Sequence, residues 1–579
     1  MTYNKRWQVA SPLTSIASEN LAAFPPILRQ MLFNRGYATD AEARAYLKAE
    51  PDFDTNPFQM TGMDVAIERI RFAIDHTEPI AIYGDYDVDG VTATALLVQT
   101  LQALGAGVRG YIPNRFDEGY GLNNDALDNL KADGVKLVIT VDCGIRSPVE
   151  AAHARTLSLD LIITDHHNPA GELPEATAVI NPKQPGDPYP DKDLAGVGIA
   201  YKIAQALLDD RRQTTDPNKS SVVGGPSSEF LKSLLDLVAL GTVADLAPLV
   251  GENRVLVRKG LHQIRETQRQ GLFSLAGVAE LTLARVNAGH IGFVLGPRLN
   301  AAGRLDSALD ALELLTTSDV RRAGELAQQL NVQNRERQAL TRATQEQAEA
   351  ITLAEDPQAL ILFAVHPEFN PGVVGLAASR LVETYYRPAI VGQISTETTR
   401  CSCRSIPEFH ITEALDQCAD LLIRHGGHAA AAGFTIRNEN LPALMERLKS
   451  IAAEHLEKMD LRPVLSADAE VSLSDLKPEM LKYLDYLQPT GYGNPEAVFV
   501  SRGVKVTSAR TVGADGRHLR LTVTDGRVTF DAIGFRMGHL LPELPPRMDL
   551  LYTFETNEYN GRVSLQLNLR DVKPAGMPD

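Results

Sequence analysis

Three short apolar runs, each rich in β-branched residues and each stopping abruptly at an acid, constrain this chain more than any other feature. Pro79-Ile80-Ala81-Ile82-Tyr83 leads into Gly84-Asp85-Tyr86-Asp87-Val88-Asp89-Gly90. Lys136-Leu137-Val138-Ile139-Thr140-Val141 ends in Asp142-Cys143-Gly144, and Leu159-Asp160-Leu161-Ile162-Ile163-Thr164 ends in Asp165-His166-His167. Runs of this length and composition read as buried strands with a polar tip. Helical patterns fit between them, from Gly90 to Leu104 and from Ser147 to His153, and such alternation predicts an α/β fold with a mostly parallel sheet. In open sheets of that kind ligands sit beyond the carboxyl ends of the strands. The acids are therefore expected to converge from separate parts of the sequence.

That convergence has an electrostatic cost. Asp85, Asp87 and Asp89 alternate, and in extended backbone residues two apart face the same side, with Cα atoms roughly 6.6 Å apart. Each like-charged pair about 4 Å apart costs on the order of 4 kcal/mol at an effective dielectric of 20, and no Lys or Arg lies within this stretch to offset it. Hard oxygen ligands select Mg²⁺ or Mn²⁺, and the row suits two ions about 3.5–4 Å apart. A solvated acidic turn is the competing reading, since Asp and Gly are also turn residues.

The three motifs, with Leu237-Val238-Ala239-Leu240-Gly241-Thr242-Val243-Ala244-Asp245 as a fourth, resemble the DHH phosphoesterases. The resemblance implies that Asp87, Asp89, Asp142, His166 and Asp245 bind two divalent cations, Mn²⁺ or Mg²⁺, with Asp142 bridging. It also implies Asp85, Asp165 and His167 as catalytic groups beside them. Pyrophosphatase-like relatives carry a metal-binding His where this chain has Tyr83, and an unperturbed phenol ionises only near pH 10. The first ion is then expected to bind loosely, or to take Asp85 or water there instead. Two readings of His167 stay open: packing, and contact with the scissile phosphate or the attacking water. Asp165 is the nearest candidate to orient the His166 ring.

In the second half, Asn370-Pro371-Gly372-Val373-Val374-Gly375 reads as a tight turn opening a helix whose amides could hold an anion. Cys401-Ser402-Cys403-Arg404-Ser405 and His425-Gly426-Gly427-His428 follow. These elements resemble the DHHA1 domain and imply Ser402, Arg404, Gly427 and His428 as substrate-binding residues facing the metal site across a cleft. By the same resemblance Asn300 and Arg304, in Gly296 to Leu305, and Arg115, in Ile112 to Gly121, would contact the substrate. A helical pattern from Ala308 to about Ala354 carries Arg321, Arg322, Arg335, Arg337 and Arg342, a solvated face or a DNA-contacting one. The tail holds short β-like runs, Gly503–Thr507, Leu519–Val523, Arg527–Asp531 and Val563–Leu569, with hairpin signals at Asp515-Gly516, Asp525-Gly526 and Asn560-Gly561. A small OB-like β-barrel is expected, in which Tyr552 and Phe554 could pack in the core or stack on bases.

Residues 50 to 579 in this order resemble the bacterial branch of the DHH/DHHA1 family that degrades single-stranded DNA from its 5′ end. The expected domains are an N-terminal extension (1–55), a DHH domain (56–305), a connecting helix (306–355), a DHHA1 domain (356–455) and an OB-like nucleic-acid-binding domain (456–579). The implied activity is metal-dependent 5′ to 3′ hydrolysis of single-stranded DNA to 5′-phosphorylated mononucleotides or short products, in repair and recombination. Single-stranded DNA, a single-strand-binding protein and a helicase are the implied partners. A phosphodiesterase of short oligonucleotides or cyclic dinucleotides, a pyrophosphatase and a non-catalytic scaffold are the alternatives.

Composition bounds this reading without choosing among nucleases. A net charge of −16 and a pI near 5.4 argue against a broad cationic coat for DNA, though not against a lined channel. Cys143, Cys401, Cys403 and Cys418 form no disulfide framework, which suits a reduced cytoplasm. No apolar run is long enough to span a bilayer, and Met1 to Arg6 opens no signal peptide.

Overall fold

The computed structural model describes residues 5–51, 53–114, 118, 121–208, 226–559 and 562–577. The chain forms two compact units, one built on Val332–Leu465 and the other on Trp7–Asn331 with Ser466–Asp579.

In the larger unit five parallel strands, β1 (Ile80–Gly84), β2 (Val108–Tyr111), β3 (Leu137–Val141), β4 (Asp160–Thr164) and β5 (Ala178–Ile180), lie in the order β2-β1-β3-β4-β5. The apolar runs are continuous because both faces of the sheet are covered. Ile80, Ile82, Leu137, Ile139 and Ile162 enter one core, and Ala81, Tyr83, Val138, Leu161 and Ile163 enter another. Helix α1 (Val88–Ala103) follows β1, and α2 (Gly196–Leu208), α3 (Leu235–Ala244) and α4 (Gly251–Arg265) pack in the first of these cores. In an open sheet of this order the crevice opens between β1 and β3. Asp85, Asp87 and Asp89 follow one of those strands and Asp142 the other.

A helical run from Ala288 passes through a π-turn, Ile291–Leu295, into α5 (Gly296–Leu305). The connector is broken, contrary to the continuous helix expected from Ala308: Leu309–Thr316 ends, and the long helix Val320–Glu355 begins afresh. Asp319 makes the break by accepting the amides of Arg321 and Arg322 with its side chain. Two of the basic residues on this helix are committed to ion pairs, Arg321 with Glu325 and Arg322 with Glu313.

In the smaller unit strands β6 (Leu362–His366), β7 (Ala389–Ile394), β8 (Thr398–Arg404), β9 (Leu422–His428) and β10 (Ala431–Arg437) form a mixed sheet in the order β9-β10-β8-β7-β6. Helix α6 (Val374–Tyr385) lies between β6 and β7 in sequence, as a parallel crossover requires.

The C-terminal strands β11 (Phe499–Val512), β12 (His518–Thr524), β13 (Thr529–Gly534), β14 (Arg547–Tyr559) and β15 (Arg562–Pro574) close into a barrel through the pairing of β11 with β14. Gly516 and Gly526 take the positive φ that their hairpins require, while Asn560-Gly561 lies outside the described residues. Strand β14 was not expected. Met548 to Phe554 is buried throughout, which settles the two aromatics as core, with the Tyr552 hydroxyl against Ser501 Oγ at 2.8 Å.

The N-terminal segment, which shows no motif, joins the barrel to the α/β layer. Trp7 Nε1 donates to Asp571 Oδ2 at 2.7 Å, Arg35 pairs with Asp468, and Tyr46 donates to Asn494 Oδ1 at 2.8 Å. Arg254 of α4 lies 4.0 Å over the Tyr46 ring and donates to the carbonyls of Tyr486, Leu487 and Pro489. It is 2% exposed, and burial lowers its pKa, so those carbonyls hold a cation with little water to share it. Arg254→Ala is expected to destabilise the protein by about 3 kcal/mol, a typical value for losing hydrogen bonds to a charged group. Urea unfolding should show this loss, with new protease cleavage between Leu487 and Pro495.

Candidate active site

The strand tips bring the predicted acids together. Asp87 caps α1, its Oδ1 accepting the amides of Asp89 at 2.9 Å and Gly90 at 3.1 Å. Asp142 turns out of β3 with φ 61, a conformation that Asp tolerates better than most residues. Asp245 follows the last residue of α3. His166 Nε2 stands 3.0 Å from Asp142 Oδ1, 3.6 Å from Asp245 Oδ2 and 3.8 Å from Asp89 Oδ2. Potential ligand atoms fall into overlapping groups, Asp85 with Asp87 and Asp142, Asp89 with His166 and Asp245, and Asp142 with His166 and His167, each within 4.8 Å. Asp142 Oδ1 and His166 Nε2 are both buried and make no hydrogen bond. Two lone-pair donors in contact with no hydrogen bond between them fit a cation of the hard or borderline class.

The surroundings seat these groups closely. Asp89 is fully buried, and its two oxygens accept the amides of Gly196 at 2.6 Å and Val197 at 2.8 Å, at the start of α2. A Cβ on Gly196 would come within 2.7 Å of Asp142 Cβ, so only glycine allows this approach. Neither Gly196 nor Val197 was singled out in the sequence; the only signal is the Gly196-Val197-Gly198 run at a helix start. Lys183 was also missed. Its charge bears on both Asp245 and His166, and Asn181 links it to the site by accepting the Lys183 amide and donating to the His167 carbonyl. Asn300 of α5 accepts the amide of Val88 at 3.1 Å, and Gly303, next to Arg304, packs on the Tyr86 carbonyl. Arg115 lies outside the described residues.

Two expectations are refined. Tyr83 donates to the Gly121 carbonyl at 3.0 Å and accepts from Asn123. Burial first, and then neighbouring charges, push its phenol far above the ordinary value, so Asp85 rather than Tyr83 joins the acid group. Asp165 does not orient His166. Its Oδ1 accepts the amides of His166 and His167 and pairs at 2.8 Å with Nδ1 of the His167 ring, while Oδ2 accepts the Ile145 amide. A carboxylate folded back over its own turn reaches the ring two residues on.

The smaller unit holds a second polar site. Ser402 and Arg404 share one face of β8, against the start of α6. A Cβ on Gly375 would stand 3.2 Å from Arg404 Nη2 and 3.6 Å from Ser402 Oγ. Arg404 donates to the Cys403 carbonyl, burial lowers its pKa, and no carboxylate pairs with it among the described residues. The first turn of α6 has no side-chain cap, and the amides of Val373, Val374 and Leu376 are bonded to the carbonyls of Asn370 and Val373, so the Arg404 guanidinium is the main feature there suited to an anion. Gly427 holds φ 148, and a Cβ there would meet the Ala431 carbonyl at 2.4 Å, so both the backbone conformation and the space call for glycine. His428, beside it, is exposed.

Three domain families match the chain: the DHH family N-terminal domain over residues 79–242, the DHHA1 domain over 356–454 and the RecJ OB domain over 467–571. The single-stranded-DNA-specific exonuclease RecJ of Bacillus subtilis is 39% identical over 98% of this chain and 70% of its own length. RecJ of Escherichia coli is 34% identical over 96% of each. The chain belongs to the RecJ family. The crystal structure of Thermus thermophilus RecJ in complex with Mn²⁺ matches with a TM-score of 0.83 at 30% identity, covering 99% of this chain and 80% of that one. A complex of the same RecJ with Mg²⁺ matches at 0.77.

Within this RecJ-family site the protonation states follow from burial. Burial, and then Asp87, lift Asp89 to about 7. Burial, and then Asp89 and Asp87, lift Asp245 to about 9, and Asp142 is raised by burial and the same neighbours. Burial, and then His167, lower His166 to about 3, so its imidazole is neutral. For Asp165 burial works upward, but the hydrogen bond and charge of His167 and two backbone amides outweigh it and leave the carboxyl below the usual range. For His167 burial works downward, and Asp165 outweighs it, raising the ring.

Raised carboxyl values mean that the folded chain holds protons the unfolded chain has already released. The raised Asp89, Asp142 and Asp245 carboxyls therefore make the metal-free protein less stable as pH rises from about 4 toward 9, opposed below about 6.5 by His166, whose lowered value works the other way, whereas bound cations, which require the deprotonated acids, reverse the trend. Thermal unfolding with and without Mn²⁺ should show a larger upward shift at pH 8 than at pH 6.

Proposed function

We propose that this protein is a divalent-metal-dependent exonuclease that hydrolyses single-stranded DNA from the 5′ end, releasing 5′-phosphorylated mononucleotides or short products during repair and recombination. The observation that carries this reading is the buried contact of Asp142 Oδ1 with His166 Nε2 inside a ring of carboxylates. Asp87, Asp89, Asp142, His166 and Asp245 are the proposed ligands of two cations, with Asp85 beside the first. When bound, Mn²⁺ or Mg²⁺ supplies neutralisation of phosphodiester charge and an acidified water.

The chain's own groups then divide the remaining work. The amides of Gly196 and Val197 fix Asp89. Asp165 holds the Nδ1 proton of His167, so proton exchange by that ring falls to Nε2; contact with the reacting phosphate is the role proposed for it. Ser402, Arg404 and the first turn of α6 take the 5′-terminal phosphate, where a planar guanidinium pairs two oxygens at once. Asn300 and Arg304 are proposed to hold the strand, as are Arg115, Gly427 and His428. A helicase and a single-strand-binding protein are the proposed partners that supply and hold the substrate, in the cytoplasm. Among the described residues no helix is long and apolar enough to cross a membrane.

End-labelled strands test this. With Mn²⁺, a 5′ label should appear at once in mononucleotide or short products while a 3′ label stays in long ones. Asp142→Asn should abolish turnover while retaining strand binding. Arg404→Gln should reduce the preference for 5′-phosphorylated over 5′-hydroxyl ends by about tenfold or more, the equivalent of one charge-assisted hydrogen bond. Attack from the 3′ end, or hydrolysis of a cyclic dinucleotide with long strands untouched, would contradict the proposal.

A further inference from the structure

Where α4 meets the segment leading into the barrel, a cavity of about 330 Å³ is lined by Arg258, Arg265, Arg285, Asn287, Asp485 and Gln488, among others. Arg258 and Arg265 are seven residues apart on α4 and share one face of it. Arg258 donates to the Leu47 carbonyl and Arg265 to that of Val286. Arg285 pairs with Glu558 while its side chain stays 69% exposed. Neither Arg258 nor Arg265 has a carboxylate partner among the described ion pairs, and Asp485 alone offsets them in the lining. In a chain of net charge −16, guanidinium groups gathered around one opening call for an anion.

The cavity is linked to the acid site by a single stretch of helix. Asn287 caps the run that begins at Ala288, continues through the π-turn and α5, and ends with Asn300 and Gly303 against the loop of Asp85 to Asp89. Twelve residues of helix span about 18 Å, which a stacked strand at roughly 3.4 Å per phosphate covers with about five phosphates. Midway, Phe293 stands on the π-turn with 86% of its surface exposed, an aromatic face of the kind on which bases stack. A Cβ on Gly296, one turn further, would lie 3.4 Å from Ala244, the neighbour of Asp245.

We infer that this arginine-lined cavity is a phosphodiester subsite, holding the uncut part of the single strand several nucleotides to the 3′ side of the scissile bond. The inference rests on the nuclease reading for its substrate and is separable from it in the test. Two variants are compared with the unaltered protein, Arg258→Gln with Arg265→Gln, and Gln488→Glu. The second adds a negative charge to the lining while keeping the side-chain oxygen that accepts the Thr490 amide.

Binding of a labelled 20-nucleotide strand is measured across salt concentrations without added metal, and kcat/KM with Mn²⁺ on that strand and on a trinucleotide. Loss of two phosphate contacts should flatten the slope of log affinity against log salt by about 1.4. It should also lower kcat/KM on the 20-mer about tenfold while leaving the trinucleotide unchanged, and Gln488→Glu should change both in the same direction. An unchanged salt slope, or an equal loss on both lengths, would overturn the subsite. A protein that binds the 20-mer but cuts neither substrate would overturn the nuclease reading instead, while the salt slopes would still decide the subsite.

Discussion

The acids at the ends of β1, β3 and α3 repel one another inside the protein, and either bound cations or retained protons must relieve that repulsion. Asp89 is sealed from water and held by two amides, Asp142 shares its space with an imidazole that burial keeps neutral, and Asp245 is pushed up to about 9. Without cations the chain answers by keeping protons on carboxyls that would otherwise ionise. The parallel sheet, the glycine at position 196 and the helical run ending at Asn300 all serve to hold this crowd in place.

The opposite imbalance recurs elsewhere in the chain. Arg404 is a half-buried guanidinium with no described carboxylate partner, set against a helix start that has no side-chain cap, and Arg258 and Arg265 open on a cavity with one acid in its lining. A negative total charge conceals these local excesses of positive charge. The buried cation Arg254 shows the contrasting solution: backbone carbonyls and the Tyr46 ring satisfy it entirely within the protein, and its role is to fasten the barrel to the α/β layer.

Much of the site was legible in the sequence because strand periodicity is local. An apolar run stopping at an acid places that acid at the carboxyl end of a strand whatever the rest of the chain does, so the convergence of Asp87, Asp89, Asp142 and His166 was readable from their own neighbourhoods. Features that depend on tertiary approach were not. The amides on Asp89 come from residues more than a hundred positions away, and Lys183 acts through space from a loop with no motif. Asp165 was assigned to the wrong histidine because adjacent residues differ only in the direction the turn gives them. The break at Asp319 lies in the short polar run Thr316-Thr317-Ser318-Asp319, masked by longer stretches of good helix formers beyond it on either side, and β14 was masked by a double proline before it. The N-terminal helices carry no chemical motif since their work is packing.

Anomalous diffraction at the manganese edge from crystals grown with Mn²⁺ tests the central claim most directly. Two peaks should appear, one enclosed by Asp87 and Asp142 and the other by Asp89, Asp142, His166 and Asp245. Crystals in which these side chains keep their positions but no manganese lies among them, with peaks only elsewhere on the molecule, would contradict it.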